Sequence, residues 1–269
     1  MIRNKKAQIT IFIIIGIIML LIFAFLIILR LSSVDRSIEK ETSQIIISDK
    51  QIIEFAQSCI VEVSVDAAYY IASQGGYNEL PSGHLEVNVQ GQEITMAYGY
   101  SNHQDVMISI QKMEEQLEDY IKANLGKCTD GFDKFKGYKV DEGMPDVNAV
   151  INDNNIVVNA KYPLIITKGG EKTTVSDFNN IVVPIRLKKV HDIAKTLVNN
   201  AKQNPNKGPN LGYISRLGDD NILVYYGWSG NSLYYVINDV LSNVEGESGL
   251  MAPGVSNRPF IFNIALDYS

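Results

Sequence analysis

The hydrophobic pattern changes period along the chain, and each change marks a different element. From Ile9 to Leu29 (ITIFIIIGIIMLLIFAFLIIL) there is no polar face: the stretch carries no charge, with Thr10 its only hydroxyl and Gly16 its only glycine. About 20 residues at roughly 1.5 Å each reach about 30 Å as a helix, the thickness of a bilayer's hydrocarbon core. A helix also satisfies its backbone within one segment, as lipid requires. At roughly half a kcal/mol per Leu, Ile or Phe, insertion is favoured by on the order of 10 kcal/mol. The pattern therefore predicts a transmembrane helix over 9–31 behind a short basic segment, 1–8.

From 38 to 73 the period becomes helical. Ile45, Ile52, Ala56, Cys59, Val63, Ala67 and Tyr70 fall on one face, and Asp49, Lys50, Glu54, Gln57, Glu62 and Asp66 mostly elsewhere. Gly75-Gly76 supplies the stop. This is a long amphipathic helix within 32–76. Leu31 to Ser37 holds no Pro or Gly, so anchor and helix are expected to run on as one continuous or gently bent rod.

The period then drops to two. Leu85-Val87-Val89 and Ile94-Met96-Tyr98 flank Gly91-Gln92, a hairpin signal. A helix over about 110–125 carries Met113, Leu117, Tyr120, Ile121 and Leu125, with Ser109 as N-cap, Gly126 as stop and Cys128 just beyond. Residues 138–185 read as an antiparallel meander, with Pro163 and Pro184 at edges or bulges. Val190, Ile193, Ala194, Leu197, Val198 and Ala201 space a third helix. Asn204 to Asn210 is a loop or boundary, and Ser242 to Asn257 a second loop. Strands are expected at Ile222–Tyr226, Ser232–Ile237 and Phe260–Asp267. The fold class is α+β: a transmembrane helix running into the long helix, then antiparallel sheet with two further helices. Residues 77–203 form an extracytoplasmic α+β domain, and 204–269 a β-rich part of it or a second subdomain.

Flanking charge orients the chain. Arg3, Lys5 and Lys6 precede the apolar stretch, whereas Arg30 and Arg36 follow it together with Asp35, Glu39 and Glu41. The positive-inside rule leaves the N-terminus in the cytoplasm and the C-terminal domain outside, a single-pass cell-membrane protein. Arg30-Leu31-Ser32-Ser33 offers no A-x-A-like site for a signal peptidase. Four of the 24 Lys/Arg lie in the first thirty residues and all 30 Asp/Glu follow, so the outer part has twenty basic and thirty acidic residues. That balance argues against nucleic acid as a partner. Cys59 and Cys128 both lie beyond the membrane, where two thiols in one domain are more often bridged. Two buried free thiols, or pairing between chains, are the alternatives.

Candidate chemistry is sparse. His84, His103 and His191 share no ligand spacing, and no C-x-x-C, H-x-x-x-H or phosphate-binding glycine loop occurs, so no metal or cofactor is expected. Gly227-Trp228-Ser229-Gly230-Asn231 misses the nucleophile elbow by its last glycine and reads as a hairpin turn. Ser109-x-x-Lys112, the start of a penicillin-binding-enzyme pattern, lacks its partners in the required order. Tyr225, Tyr226, Trp228, Tyr234 and Tyr235 cluster about that turn. Half of them are expected in the core; the sharper option is an exposed contact rim made by Tyr226, Trp228 and Tyr234.

The junction Lys5-Lys6-Ala7-Gln8-Ile9-Thr10 resembles the class III signal of archaeal type IV pilin-like proteins, which implies a cut between Ala7 and Gln8. The fifth residue after that cut is Phe12, where many such pilins carry Glu. A second resemblance, to single-pass archaeal envelope proteins, rests on Cys59, Gln74-Gly75-Gly76-Tyr77, Cys128, Tyr162-Pro163 and Phe260-x-Phe262-Asn263-x-Ala265. It implies the same architecture and a Cys59–Cys128 pair. The expected role is non-enzymatic: a surface or envelope protein acting in structural or adhesive contact. Its partners are the lipid bilayer and other copies through the membrane helix, or other envelope proteins. A pilin-like filament subunit and a cell-surface enzyme are the alternatives.

Overall fold

The computed structural model describes residues 48–89, 91–204, 212, 217–218, 221–242 and 259–269. Asp49–Ser269 forms one compact unit. Its elements in chain order are α1 (Asp49–Ser73), β1 (His84–Val89), β2 (Gln92–Ser101), β3 (Gln104–Asp105), α2 (Ile110–Thr129), β4 (Lys139–Glu142), β5 (Asp146–Ile151), β6 (Ile156–Lys168), β7 (Glu171–Val183), α3 (Leu187–Gln203), β8 (Ile222–Ser229), β9 (Ser232–Asp239) and β10 (Phe260–Asp267).

The expected fold class needs correction at three points. Among the described residues no helix is long and apolar enough to cross a membrane; the stretch Ile9–Leu29 lies outside them, as do residues 1–8. The long helix is not the tail of a continuous rod, because Ser48 is non-helical and α1 begins at Asp49. A serine followed by an acid is a good local helix start, the carboxylate sitting at the positive end of the dipole. The sheets are not purely antiparallel either. One is mixed, in order β1-β2-β10-β9-β8 with β3 on β2, and β10 runs parallel to β2 through Ala265–Tyr98 and Leu266–Tyr100. Periodicity reports local neighbours; it carries no information on a pairing between the first hairpin and the last strand.

α1 is the central element. The predicted stripe of Ile52, Ala56, Cys59, Val63 and Ala67 is buried, but so are Ile60, Ser64, Val65, Ala68, Tyr69, Ile71 and Ala72. Its C-terminal half is therefore buried almost all round, and the helix as a whole packs on α2, on β10 of the mixed sheet and on β6 and β7 of the second sheet. Tyr70, placed by its spacing on the buried stripe, is exposed and meets the Tyr120 ring at 5.1 Å. The helix ends as the two glycines predict. The Gly76 N–H donates to Ile71 O (2.7 Å) and the Gly75 N–H to Ala72 O (3.2 Å), the paired bonds of a Schellman stop. A Cβ at Gly76, already at φ +99°, would sit 2.6 Å from Ile108 Cγ2.

The second sheet is the predicted meander. β6 lies between β7 on one side and β5 and β4 on the other, all antiparallel. Ile156, Val158, Ala160, Tyr162, Leu164 and Ile166 alternate inward. Pro163 stands where β4 and β5 leave a gap, so no ladder needs its missing N–H; its carbonyl takes the Gly143 N–H at 2.7 Å. Two carboxylates one helical turn apart on α2 cap the free edge of β5. Glu118 accepts from Ala149 N–H (3.0 Å) and Glu114 from Ile151 N–H (2.8 Å).

α2 differs from its expected end. Gly126 does not stop it: the helix runs to Thr129, and Asp130 in the left-handed region (φ 46°) returns its N–H to Gly126 O. Cys128 thus lies in the last turn and not past it. Ser109 caps the start as expected, accepting from the Lys112 N–H at 3.2 Å. The predicted stripe of α3 is buried against β2, β9 and β10. It packs close over Gly99, where a Cβ would meet Ile264 Cδ1 at 2.4 Å and Val198 Cγ2 at 2.8 Å. A buried ion pair fixes the start of α3 to the end of β9. The guanidinium of Arg186 donates to both oxygens of the fully buried Asp239 carboxylate, which also accepts from Ser242 Oγ (2.5 Å) and Leu241 N–H (3.1 Å).

Candidate functional site

Cys59 and Cys128 are bonded, joining the middle of α1 to the last turn of α2 with Cα atoms 5.7 Å apart. A cleft of about 330 Å³ opens beside the bridge, lined by Phe55, Glu62, Cys128, Asp130, Asp133 and Lys134. The Lys134 ammonium lies 3.0 Å from the Phe55 ring centre, and its burial there lowers its pKa. Glu62 Oε2 is 3.8 Å from Cys128 Sγ. A thiolate at Cys128 would face that carboxylate and the negative end of α2, and both disfavour it. Reactive cysteines occupy electropositive surroundings. This bridge holds two helices together, and its cleft carries both signs of charge, Lys127 and Lys134 beside Glu62, Asp130 and Asp133.

The second place is the β8–β9 hairpin. β8 runs further than predicted, to Ser229, and the turn shrinks to Gly230-Asn231, with Gly230 at φ +59°. Strand alternation then sorts the aromatics. Tyr226 pairs with Tyr235 and Trp228 with Leu233 on one face, and Gly227 pairs with Tyr234 on the other. The predicted contact trio is therefore split: Tyr226 and Trp228 share a face, and Tyr234 does not. Tyr234 lies across Gly227, where a Cβ would be 2.3 Å from its hydroxyl. It packs with Tyr98 against a core cluster of Leu85, Val87, Met96 and Ala265. Tyr235 is buried, and that burial raises its hydroxyl pKa well above the ordinary tyrosine range. The Trp228 ring is 6.2 Å from Tyr268, which is 6.2 Å from buried Tyr100, so the rings step from solvent into the core.

Three of these rings face water. Tyr225, Tyr226 and Trp228 are 54, 44 and 52% exposed, although apolar bodies of this size are usually covered. Among the described residues thirteen large apolar side chains are exposed, and six of them fall between Leu223 and Leu241. Position accounts for this: among the described residues β8 is the end strand of its sheet, whereas α3 packs on β2, β9 and β10. Leu223, Tyr225, Val240 and Leu241 were not among the expected contact residues. The signal that would have found them is charge. From Asn221 to Asn238 there is no Asp, Glu, Lys, Arg or His, in a chain that is 20% charged.

The remaining candidates separate. His84 sits between Pro81 O (2.9 Å) and Glu86 Oε1 (3.1 Å), and His103 lies in a turn at φ +59°. His191 is buried, with Nε2 2.8 Å from Ile108 O and its ring edge-on to Phe262. No group of three metal-ligating side chains occurs among the described residues. Ser109 is a helix cap and Lys112 an ion-pair partner of Glu115, at 2.5 Å. Ser229 ends a strand in a hairpin. Ala7 and Gln8, the expected processing junction, lie outside the described residues. Comparison with protein-family models, curated proteins and solved structures finds no match to this chain.

Proposed function

We propose that this is an extracytoplasmic envelope protein, held at the cell membrane by its apolar N-terminal stretch and working by contact and not by catalysis. The carrying observation is the strand β8, uncharged, with exposed Tyr226 and Trp228 sharing one face and exposed Tyr225 on the other, on an otherwise acidic body. Exposed apolar patches rimmed by polar surface mark interaction sites, and Tyr and Trp are the residues that anchor them. The compartment is supported by the Cys59–Cys128 bridge, which belongs to an oxidising environment.

Two measurements test this reading. A protease-cleavable tag after Ser269 is cut on intact cells if the body lies outside, and protection of the tag would invert the topology. Trp228 is the only tryptophan, so acrylamide quenching reads its surroundings directly. Quenching of the full chain, carrying 5-hydroxytryptophan at 228 so that it is excited apart from the tryptophans of other proteins, falls in native membranes relative to the solubilised chain if β8 is engaged there. A Tyr226→Ser variant abolishes that protection while shifting stability by no more than about 0.5 kcal/mol, as an exposed position should. A filament role is the second reading, favoured by Lys5-Lys6-Ala7-Gln8 before the Ile-rich stretch. N-terminal sequencing of native protein decides it, since a start at Met1 or Ile2 removes it.

A further inference from the structure

We infer that the cleft beside the Cys59–Cys128 bridge binds a small linear diamine, one of whose ammonium groups takes the place that Lys134 holds on the Phe55 ring. This site shares no residue with β8 and is independent of the contact reading.

Phe55, Cys59 and Glu62 stand at steps of four and three on α1, so one helix face presents all three. The bridge pins the last turn of α2 to the middle of that face. From there the chain turns back sharply: Asp130, Gly131 and Phe132 are all in the left-handed region, at φ 46, 61 and 59°. The turn brings Phe132 and Phe135 against Phe55, with ring centres 5.7 and 5.4 Å from it. Phe132 is buried, whereas Phe55 and Phe135 are half-buried and Phe55 lines the cleft.

Lys134 shows what this floor accepts. Its ammonium lies 3.0 Å from the Phe55 centre and 5.4 Å from the Phe135 centre. Aromatic faces attract cations, and ligand ammonium groups are recognised in this way. The seat can be vacated, because Lys134 is an exposed residue on a flexible four-carbon stem.

Charge selects the ligand. Three carboxylates (Glu62, Asp130, Asp133) and two ammonium groups (Lys127, Lys134) line the cleft. Lys127 donates to Asn124 Oδ1 (2.8 Å), one turn back along α2. With Lys134 displaced, three negative charges face one positive, and a dication restores the balance. A single metal ion is a poorer match, since no group of three metal-ligating side chains occurs among the described residues. A diamine carries its charges several bonds apart, one for the ring and one for the carboxylates. At about 330 Å³ the cleft is at the small end of ligand pockets.

The full chain in nonionic detergent, titrated with the diamine cadaverine in a calorimeter, provides the test. Saturable binding is expected. Glu62→Gln should weaken it about fivefold through the loss of one ion-pair partner. Lys134→Ala should tighten it about three- to sixfold, since the site no longer has to expel its own cation. Glu93→Gln, on the β1–β2 hairpin, removes the same charge elsewhere and should leave binding unchanged. Phe55→Leu should weaken binding as well, and its ligand-free melting midpoint shows whether it folds. Glu62→Gln is isosteric and Lys134 is exposed, so those two variants decide the matter if Phe55→Leu does not fold. No saturable binding, equal losses from Glu62→Gln and Glu93→Gln, or binding not tightened by Lys134→Ala would overturn the site. Nα-acetyl-lysine amide carries one ammonium on a similar stem and should bind about fivefold more weakly. Equal binding of that probe would overturn the assignment of a dication.

Discussion

Removing the bridge between α1 and α2 measures how much of the central helix is held by the cross-link and how much by packing. The perturbation is Cys59→Ala with Cys128→Ser, matching an apolar residue to the buried site and a polar one to the half-exposed site. The bridge closes a loop of 69 residues, for which the chain-entropy relation gives about 4.4 kcal/mol at 25 °C. Trimming the buried sulfur at Cys59 leaves a small void and adds about 1 kcal/mol. Each kcal/mol moves the midpoint of a body this size by roughly 2–4 °C, so the variant should melt about 10–20 °C lower. It should still fold, because Ile52, Ile60, Val63 and Ile71 stay buried without the bridge. Urea titration followed by circular dichroism and Trp228 emission reads the loss. The denaturant slope should rise as well, since the freed unfolded chain exposes more surface. A loss under about 1 kcal/mol would refute the reasoning, as the constraint would then be worth a quarter or less of its entropic value. So would reduction of the native protein at the rate of an exposed peptide disulfide, which contradicts the burial of Cys59 and the carboxylate beside Cys128.

Three further outcomes follow from the packing. Asp239→Ala strands a guanidinium, a serine hydroxyl and the Leu241 N–H, and should cost about 3–5 kcal/mol in the same urea titration. Gly99→Ala drives a methyl into Ile264 and Val198 under α3, a cost of about 1–3 kcal/mol read as a lower melting temperature. His191 gives an acid limb to stability. Burial holds its pKa below the usual 6.5, so the unfolded state binds the proton first. Stability should be level above about pH 7 and decline as pH falls through about 6.5. His191→Gln, which keeps a donor for Ile108 O, flattens that limb in melts taken across the range.

Local rules reached those elements whose partners are near in sequence or whose faces are strictly two-sided. The six alternating residues from Ile156 to Ile166, the Ser109 cap, the α3 stripe and the Gly75-Gly76 stop are all legible from spacing alone. α1 was only half legible. A one-sided stripe is correct for a helix on a surface, whereas this one is wrapped from several sides, so Ile60, Ala68 and Ile71 look misplaced until both sheets are in view. Gly126 misled because a helix ends where its carbonyls find donors, and Asp130 supplies one a turn later. The parallel seat of β10 beside β2 has no local signature at all. For the aromatic hairpin, alternation separates two faces but cannot say which one a helix will cover. The missing charge between Asn221 and Asn238 was the better guide.

The slot that β10 fills has a consequence for biogenesis. It lies between β2 and β9, so a ribosome must deliver Phe260–Asp267 before β2 and β9, each already paired on its other side, are joined. A body exported from its N-terminus would carry the flank of α1 that β10 covers without that shelter through most of its passage. Trimming that last strand would leave an interior seam open, and the damage would reach residues synthesised at the outset.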